Sequence, residues 1–427
     1  MNTYETRAER TKNFLADRFG MFIHWGLYAI PARGEWVKST EKITDEEYQK
    51  YFDEFNPIHY DPKKWAKVAK QAGMKYAVLT AKHHDGFCLF DSKLTDYKST
   101  NTKCGRDLVG EYIEAFRAEG IKIGLYYSLL DWHHPDYPHY GDGIHPMSTN
   151  EAFKDVKHDF PKYVEYLHGQ VKELLTNYGK IDIMWFDFSY GEMYGEKWEA
   201  TKLVRMMRSI QPDIVIDNRL GGSGIEMKTG ELDEIAGDFD SPEQIIPSEG
   251  IVDSQGRPVP WEACLTLNNN WGYASQDKNY KSPKTVVRTL VECVAKGGNM
   301  LINVGPNAKG EIPKESVAIL AEVGEWMHEN SDSIYGAGKC DLQKPEWGYY
   351  TQNDKMVYAH LFDRGIGTFR LNGLQGKIKQ ARLLADGAEL KLDRPWNAAK
   401  FPDDAFINLS SAVLPDDVDT VLALELL

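Results

Sequence analysis

The sequence predicts an α/β protein in which a (β/α)8-like, TIM-type barrel precedes a C-terminal antiparallel β-sandwich domain. Three observations predict this fold class. Up to about residue 335, short apolar runs alternate with segments of helical period, as in βα units around a parallel sheet. No GxGxxG fingerprint follows the first run, which favours a barrel over a Rossmann sheet. From residue 336 onwards, short alternating runs replace the helical periods.

Seven apolar runs are predicted to be barrel strands. Each is rich in β-branched, aromatic or other apolar residues and is too short for an independent helix. The runs are residues 19–26, 75–81, 121–130, 181–188, 213–218, 263–268 and 299–305. A complete barrel of this type has eight strands, so the eighth is hidden, or it is missing and the barrel is distorted.

Five segments between these runs have the period of an amphipathic helix. Residues 62–73 have proline near the start and glycine at the end, and residues 106–120 also stop at glycine. Apolar residues recur at steps of three and four in residues 160–178, 282–297 and 316–330.

The chain is predicted to divide into a barrel domain, residues 1–335, and a β-domain, residues 336–427. In the second part, alternating runs predict strands at residues 356–362, 378–384 and 420–424.

Composition excludes several classes of function. The chain has 427 residues and a net charge of −14, which argues against nucleic acid as a partner. No apolar run approaches the roughly 20 residues that span a bilayer, so no membrane association is expected. The charged N-terminus lacks the apolar stretch of a secretory signal, and the five scattered cysteines contain no CxxC. Both features favour a cytoplasmic location.

The run IDIMWFDF, residues 181–188, is the best candidate for a catalytic strand. Side chains alternate across a strand, so Trp185 and Asp187 should face one way and Met184 and Phe186 the other. This arrangement suits a sugar pocket, where the indole covers an apolar sugar face while the carboxylate reacts. From this run alone, an aspartate that caps the strand or the next helix is an equal alternative.

Other predicted strands also end in polar and aromatic side chains. Reactive groups of a barrel come from the carboxyl ends of several strands, so these side chains should share one pocket. Each alone is better explained as packing. Their joint occurrence is not, because such groups are costly to bury without a polar partner. In the strand ends and the loops that follow them, the candidates are His24, Glu35, Trp36, His83, His84, Tyr126, Arg219 and Trp271.

The adjacent histidines His83 and His84 could suggest a metal site. Zinc sites commonly place their ligands on one face, as in HExxH, whereas neighbours in a strand face opposite ways. We therefore expect the two rings to diverge and no metal to bind.

Glycoside cleavage is the chemistry that these residues suit. It needs two carboxylates around an oxocarbenium-like centre, donors that hold sugar hydroxyls, and aromatic rings against the sugar. No GxSxG elbow follows a strand and no GxxxxGK[ST] loop is present, so acyl and phosphoryl transfer are disfavoured.

The chain resembles the retaining α-L-fucosidases of glycoside hydrolase family 29. The similar motifs keep the family's order from about residue 18 to about residue 335. They are GMFIHWGLYAIP (20–31), GEWV (34–37), AKHHDGFCLFDSKLTDY (81–97), RDLVGEY (106–112), GLYYSLLDWHHPDY (124–137), WFDF (185–188) and KGGNMLINVGPNAKGEIP (296–313). The tail is similar only in length and type.

The resemblance implies a barrel with a C-terminal β-sandwich and exo-acting hydrolysis of terminal α-L-fucosides with retention. The implied partner is a fucosylated oligosaccharide or glycoconjugate, with neither metal nor organic cofactor. Asp187 resembles the nucleophile, and the strand-end candidates, with Trp185, resemble substrate contacts. Transfer to sugar acceptors is open to any retaining enzyme.

The general acid/base is harder to assign, because family members differ in where along the chain it lies. Residues 238–244, DFDSPEQ, resemble the stretch that carries it in some members and nominate Glu243. Glu262, in a Trp-Glu pair, is the second candidate and Glu231 the third. A glutamate without this role is expected to be a solvated loop carboxylate.

Double displacement sets requirements on the charges of the two catalytic groups. Glu243 must start protonated, which calls for an apolar setting or a neighbouring carboxylate. Arg219 and the histidines are expected to keep Asp187 ionised.

The chain departs from the family pattern at two places. Ser189 stands where relatives often have glycine. Residues 221–260 have their own sequence, and this loop is expected to shape the aglycone side.

Two other functions remain as alternatives: a non-catalytic fucose-binding protein, and a barrel hydrolase for another sugar such as a β-galactoside.

Overall fold

The computed structural model describes residues 3–141, 143–191, 193–221, 234–409, 411 and 413–427. The helices of this part are α1 (Tyr4–Asp17), α2 (Val37–Thr40), α3 (Asp45–Glu54), α4 (Pro62–Gln71), α5 (Leu108–Ala118), α6 (Phe160–Asn177), α7 (Ala200–Ile210), α8 (Pro283–Ala295) and α9 (Lys314–Asn330). The first seven strands are β1 (Phe19–Ile23), β2 (Tyr76–Lys82), β3 (Lys122–Ser128), β4 (Ile183–Asp187), β5 (Val215–Ile216), β6 (Glu262–Thr266) and β7 (Asn299–Val304).

These seven strands form one parallel sheet in the order β5-β4-β3-β2-β1-β7-β6. Each lies within or largely overlaps one of the seven predicted runs, so that prediction is confirmed. All strands point the same way, and their carboxyl ends therefore gather the predicted polar side chains at one end of the sheet.

Residues 238–244 take the place of the eighth strand. They bridge β5 on one side, where the Asp238 N–H donates to the Ile216 carbonyl at 2.6 Å. On the other side the Cys264 N–H donates to the Pro242 carbonyl at 3.1 Å, and Glu243 pairs with Cys264 in parallel. These contacts are isolated bridges and do not form a continuous ladder. The barrel is therefore distorted here, which is one of the two predicted alternatives.

Strand β4 shows the alternation that the sequence predicts. Met184 and Phe186 pack in the large core between sheet and helices, whereas Trp185 lies in a second, smaller core with Phe22 and Tyr126. The second core fills the barrel interior. Trp185 and Asp187 therefore face the barrel axis together.

All five predicted helical segments are confirmed as α4, α5, α6, α8 and α9. Three further helices of eight or more residues, α1, α3 and α7, were not predicted. Helix α1 has almost no apolar stripe, because Phe14 is its only buried apolar residue. It is held instead by a capping box at Thr3 and by an ion pair of 2.7 Å between Arg10 and Asp238.

The C-terminal strands are β8 (Gly338–Lys339), β9 (Gly348–Asn353), β10 (Met356–Leu361), β11 (Phe369–Leu371), β12 (Ile378–Leu383), β13 (Glu389–Leu390), β14 (Leu392–Asp393), β15 (Ala405–Ile407) and β16 (Thr420–Leu426). They form two antiparallel sheets, ordered β13-β12-β16-β10-β9-β8 and β11-β15-β14. Leu361 and Leu422 of the first sheet share a core with Phe369 and Ile407 of the second, as in a sandwich. The division between residues 335 and 336 stays a prediction.

The described residues include no helix that is both long and apolar enough to cross a membrane. All five cysteines are free thiols.

Gly324 in α9 gives a test of helix packing. A methyl group there would lie 2.1 Å from the Gln71 carbonyl oxygen at the end of α4, and backbone cannot move aside cheaply. We expect Gly324→Ala to lower the free energy of unfolding by about 1–3 kcal/mol, although alanine favours helix by up to ~1 kcal/mol. Urea or thermal unfolding measures the change. Gly169→Ala in α6 is the matched control, because its methyl group meets only the end of the Leu94 side chain. Equal stability of the two variants would contradict the prediction.

Candidate active site

A cavity of about 240 Å³ lies at the carboxyl ends of the barrel strands. It is lined by Phe22, His24, Glu35, Trp36, His83, His84, Tyr126, Trp185, Asp187, Phe188, Arg219, Glu243, Cys264 and Trp271. All eleven residues predicted to form the site are among them. Three lining residues were not predicted, namely Phe22, Phe188 and Cys264. Strand alternation could have found Phe22, which precedes His24 by two positions.

Asp187 ends β4 and is held by three donors. The Tyr126 hydroxyl donates to Oδ2 at 2.7 Å, and Arg219 Nη1 donates to Oδ1 at 2.7 Å. The Phe188 N–H donates to Oδ1 at 2.9 Å. Phe188 has a φ of 72°, an uncommon backbone conformation for a phenylalanine. The carboxylate therefore has a fixed orientation toward the cavity.

Arg219 connects the two predicted catalytic carboxylates. Its Nη2 donates to Glu243 Oε2 at 2.9 Å, while Nη1 binds Asp187. The guanidinium is fixed from behind by Ser241, whose Oγ accepts from Nε at 3.0 Å, and it lies 4.5 Å from the centre of the Trp185 ring. The rigid guanidinium group thus fixes the positions of both carboxylates.

Glu243 lies on the segment that closes the barrel, at the mouth of the cavity. Its side chain is 42 % exposed. The apolar setting that a protonated acid was expected to have is therefore absent. The other expected feature is present, because Glu35 is a neighbouring carboxyl group whose charge interacts with that of Glu243.

Glu35 is buried in the cavity wall. The Gly272 N–H donates to its Oε2 at 2.7 Å. Burial raises the pKa of Glu35 to about 7, and the negative charge of Glu243 adds to this rise. Near neutral pH this carboxyl group can therefore act as donor or acceptor.

The three histidines of the cavity are neutral. Burial lowers the pKa of His24 to about 3, and it lowers the pKa values of His83 and His84 well below the ordinary value. The expectation that the histidines help to keep Asp187 ionised is therefore wrong. Among the described residues, Arg219 is the cation that contacts Asp187.

His24 has a defined tautomer. Its Nδ1 donates to Asn303 Oδ1 at 2.7 Å, and the Asn303 amide in turn donates to the Trp271 carbonyl. Nε2 of His24 is therefore left as an acceptor. His84 Nδ1 is hydrogen-bonded to Ser128 Oγ at 2.6 Å.

His83 and His84 do not diverge as expected. Their ring centroids are 4.0 Å apart and both rings line the cavity. The expectation fails because β2 ends at Lys82, so strand alternation no longer applies. The part of the chain that the structure describes has no group of three or more His, Cys, Asp or Glu residues that could hold a metal ion.

Glu262 lies below the cavity and is not a wall residue. It begins β6, is fully buried, and accepts from the Tyr76 hydroxyl and from Trp185 Nε1, the latter at 3.3 Å. Burial raises its pKa to about 7. The expectation of a solvated loop carboxylate is therefore wrong for Glu262. The third candidate, Glu231, lies outside the described residues.

The chain is similar in sequence and structure to known α-L-fucosidases. The family model described as Alpha-L-fucosidase matches residues 2–332. The structure of α-L-fucosidase isoenzyme 1 from Paenibacillus thiaminolyticus is 64% identical, with a TM-score of 0.96 and 99% of each chain covered. The α-L-fucosidase of Dictyostelium discoideum is 30% identical over 377 residues, which are 81% of this chain and 76% of that protein.

A further solved structure is that of a family 29 α-L-fucosidase from Bacteroides thetaiotaomicron, captured as a trapped covalent intermediate. It is 30% identical, with a TM-score of 0.85, and the match covers 98% of this chain and 96% of that one. The chain therefore belongs to the α-L-fucosidases of glycoside hydrolase family 29, whose enzymes are retaining glycoside hydrolases.

Proposed function

We propose that this protein is an exo-acting α-L-fucosidase that removes terminal α-L-fucosyl groups from fucosylated glycans with retention. Asp187 is the nucleophile and Glu243 the general acid/base. The observation that carries the proposal is the bridge from Arg219 to both carboxylates at the cavity wall. A cavity of about 240 Å³ suits a single terminal sugar, since drug-sized ligands usually occupy about 300–1,000 Å³.

The reaction proceeds by double displacement. Asp187 Oδ attacks the anomeric carbon as the bond to the leaving oxygen breaks, and protonated Glu243 gives its proton to that oxygen. Glu243, now ionised, then takes a proton from water, whose oxygen attacks the same carbon and releases Asp187. Two inversions give net retention.

Arg219 couples the two steps. Before the first step the guanidinium donates hydrogen bonds to both side chains and pairs with the negative charge of Asp187. Once Asp187 is esterified its negative charge is gone, and the guanidinium then interacts chiefly with Glu243. This favours ionised Glu243 in the intermediate, which is the form that acts as a base.

The other cavity residues bind the sugar. The neutral rings of His24 and His84 form hydrogen bonds with sugar hydroxyls, His24 through an Nε2 acceptor, and Glu35 can exchange hydrogen bonds in either direction. Trp185, Trp271 and Phe22 supply apolar surface for the faces of the pyranose ring and its methyl group.

A fucosyl-enzyme can also pass its sugar to an acceptor other than water. The Bacteroides thetaiotaomicron relative was captured as a covalent intermediate, and a substituted variant of a Thermotoga maritima relative, 26% identical, is described as an α-L-fucosynthase. Both support the proposal that this chain transfers fucose as well as hydrolysing it.

A panel of aryl glycosides tests which sugar the enzyme cleaves. Turnover of β-galactosides in place of α-L-fucosides would contradict the proposal.

Replacement of the nucleophile tests the assignment of Asp187. Asp187→Gly should lower kcat on an aryl α-L-fucoside by at least ~10³-fold, because the covalent step is lost. Azide enters the space left by the carboxylate, so it should restore turnover and give β-fucosyl azide. Wild-type activity in the variant, or a loss that azide does not rescue, would count against Asp187.

Leaving-group dependence tests Glu243. Glu243→Ala should lower kcat/KM about 10²–10⁴-fold for poor leaving groups, which need protonation, and far less for activated aryl fucosides. Initial rates on a series of aryl fucosides measure this trend. Equal losses across the series would assign the acid/base role to another glutamate, such as Glu231.

The raised pKa of Glu35 predicts a pH dependence. Glu35 loses its proton as the pH rises through about 7, which removes a donor and adds negative charge beside Glu243. We expect kcat/KM to fall above pH 7 in the wild type and this fall to move to higher pH in Glu35→Gln, which cannot ionise. A pH profile of both proteins measures the shift. An unchanged alkaline limb in the variant would assign the limb to another group.

A further inference from the structure

Glu262 is a buried carboxyl group close to the catalytic machinery that the proposed reaction does not use. It shares the inward face of β6 with Cys264, two positions on, and Cys264 lines the cavity. Ala263 between them packs in the outer core. Glu262 therefore lies inside the barrel, directly below the cavity.

The hydrogen bonds of Glu262 connect it to the cavity floor. Oε1 accepts from Trp185 Nε1 at 3.3 Å, and Oε2 accepts from the Tyr76 hydroxyl. Asn299 approaches the same hydroxyl with its amide nitrogen at 3.4 Å. The indole N–H of Trp185 is buried, so its orientation depends on this acceptor.

Trp185 in turn supports Arg219. The centre of the guanidinium lies 4.5 Å from the centre of the indole ring, in a cation–π contact. The two ends of that guanidinium hold Asp187 and Glu243. A continuous chain of contacts therefore leads from Glu262 to both catalytic carboxylates.

We propose that Glu262 is a positioning residue for the fucosidase reaction: through the indole of Trp185, its carboxyl group fixes the Arg219 guanidinium that holds the catalytic pair. The inference rests on the proposed function. Glu262 has no ion-pair partner among the described residues and is fully buried. A carboxyl group is costly at such a place, and a purely structural role would be filled at lower cost by an apolar side chain.

Kinetics of Glu262 variants on an aryl α-L-fucoside test the proposal. Glu262→Met keeps the approximate volume but offers no acceptor to the indole, and it should lower kcat about 10- to 10²-fold with little change in KM. Glu262→Gln keeps an acceptor oxygen and should stay within about threefold of the wild type. Tyr76→Phe is the matched control, because it removes the other hydrogen bond of Glu262 and leaves the indole contact intact.

A double-mutant cycle separates positioning from general destabilisation. If Glu262 acts through the indole, Glu262→Met should lower kcat by less than about twofold in a Trp185→Phe background. Wild-type kcat in Glu262→Met, or independent losses that multiply in the double variant, would overturn the proposal. If Glu262→Met does not fold in a thermal unfolding assay, Glu262→Gln decides. A loss as large as that of Trp185→Phe would then overturn it, because the amide keeps the acceptor.

Turnover by the wild-type enzyme distinguishes failure of the proposed function from failure of the positioning role of Glu262. Wild-type turnover of the fucoside together with unchanged kcat in Glu262→Met overturns only the positioning role. Absence of wild-type turnover overturns the proposed function, and the positioning role with it.

Discussion

The site depends on one constraint: Arg219 bridges Asp187 and Glu243, with one hydrogen bond to each carboxylate. The two carboxylates come from different kinds of structure, one from a regular strand and one from the irregular closing segment. A planar guanidinium offers donors in a fixed geometry. It can therefore define the distance between the two carboxylates, which neither the strand nor the closing segment defines alone. Ser241 accepts a hydrogen bond from this guanidinium, and the ring of Trp185 packs against it. The rest of the cavity places neutral groups around it.

These groups are neutral because burial disfavours the charged form of an ionisable side chain. Two carboxyl groups, Asp217 just after β5 and Glu262 in β6, are fully buried and have no ion-pair partner in the described residues. Burial raises the pKa values of both groups, that of Asp217 well above the ordinary range. The buried histidines remain uncharged for the same physical reason. The positive charge of Arg219 therefore serves the reacting carboxylates, because few other ionised groups compete for it.

Local patterns in the sequence, together with the family resemblance, predicted most of the barrel and eleven of the fourteen residues that line the cavity. Strand alternation is a short-range rule, so it placed Trp185 beside Asp187 correctly. It failed at His83 and His84, because the end of a strand is set by tertiary contacts. The same limit applies to Glu262, whose burial depends on β2 and β4 folding against β6. Helix α1 was missed because no apolar stripe marks it, and its ion pair with Asp238 joins residues far apart in the sequence.

The closing segment has a consequence for how such enzymes diverge. Residues 238–244 are joined to their neighbours by isolated bridges, so an insertion or deletion beside them leaves the register of the seven strands intact. Asp187, the proposed nucleophile, is by contrast part of a continuous ladder, so a shift in its sequence position would change the register of the sheet. The proposed acid/base thus lies on a segment beside which changes of chain length leave the sheet intact, whereas the proposed nucleophile does not.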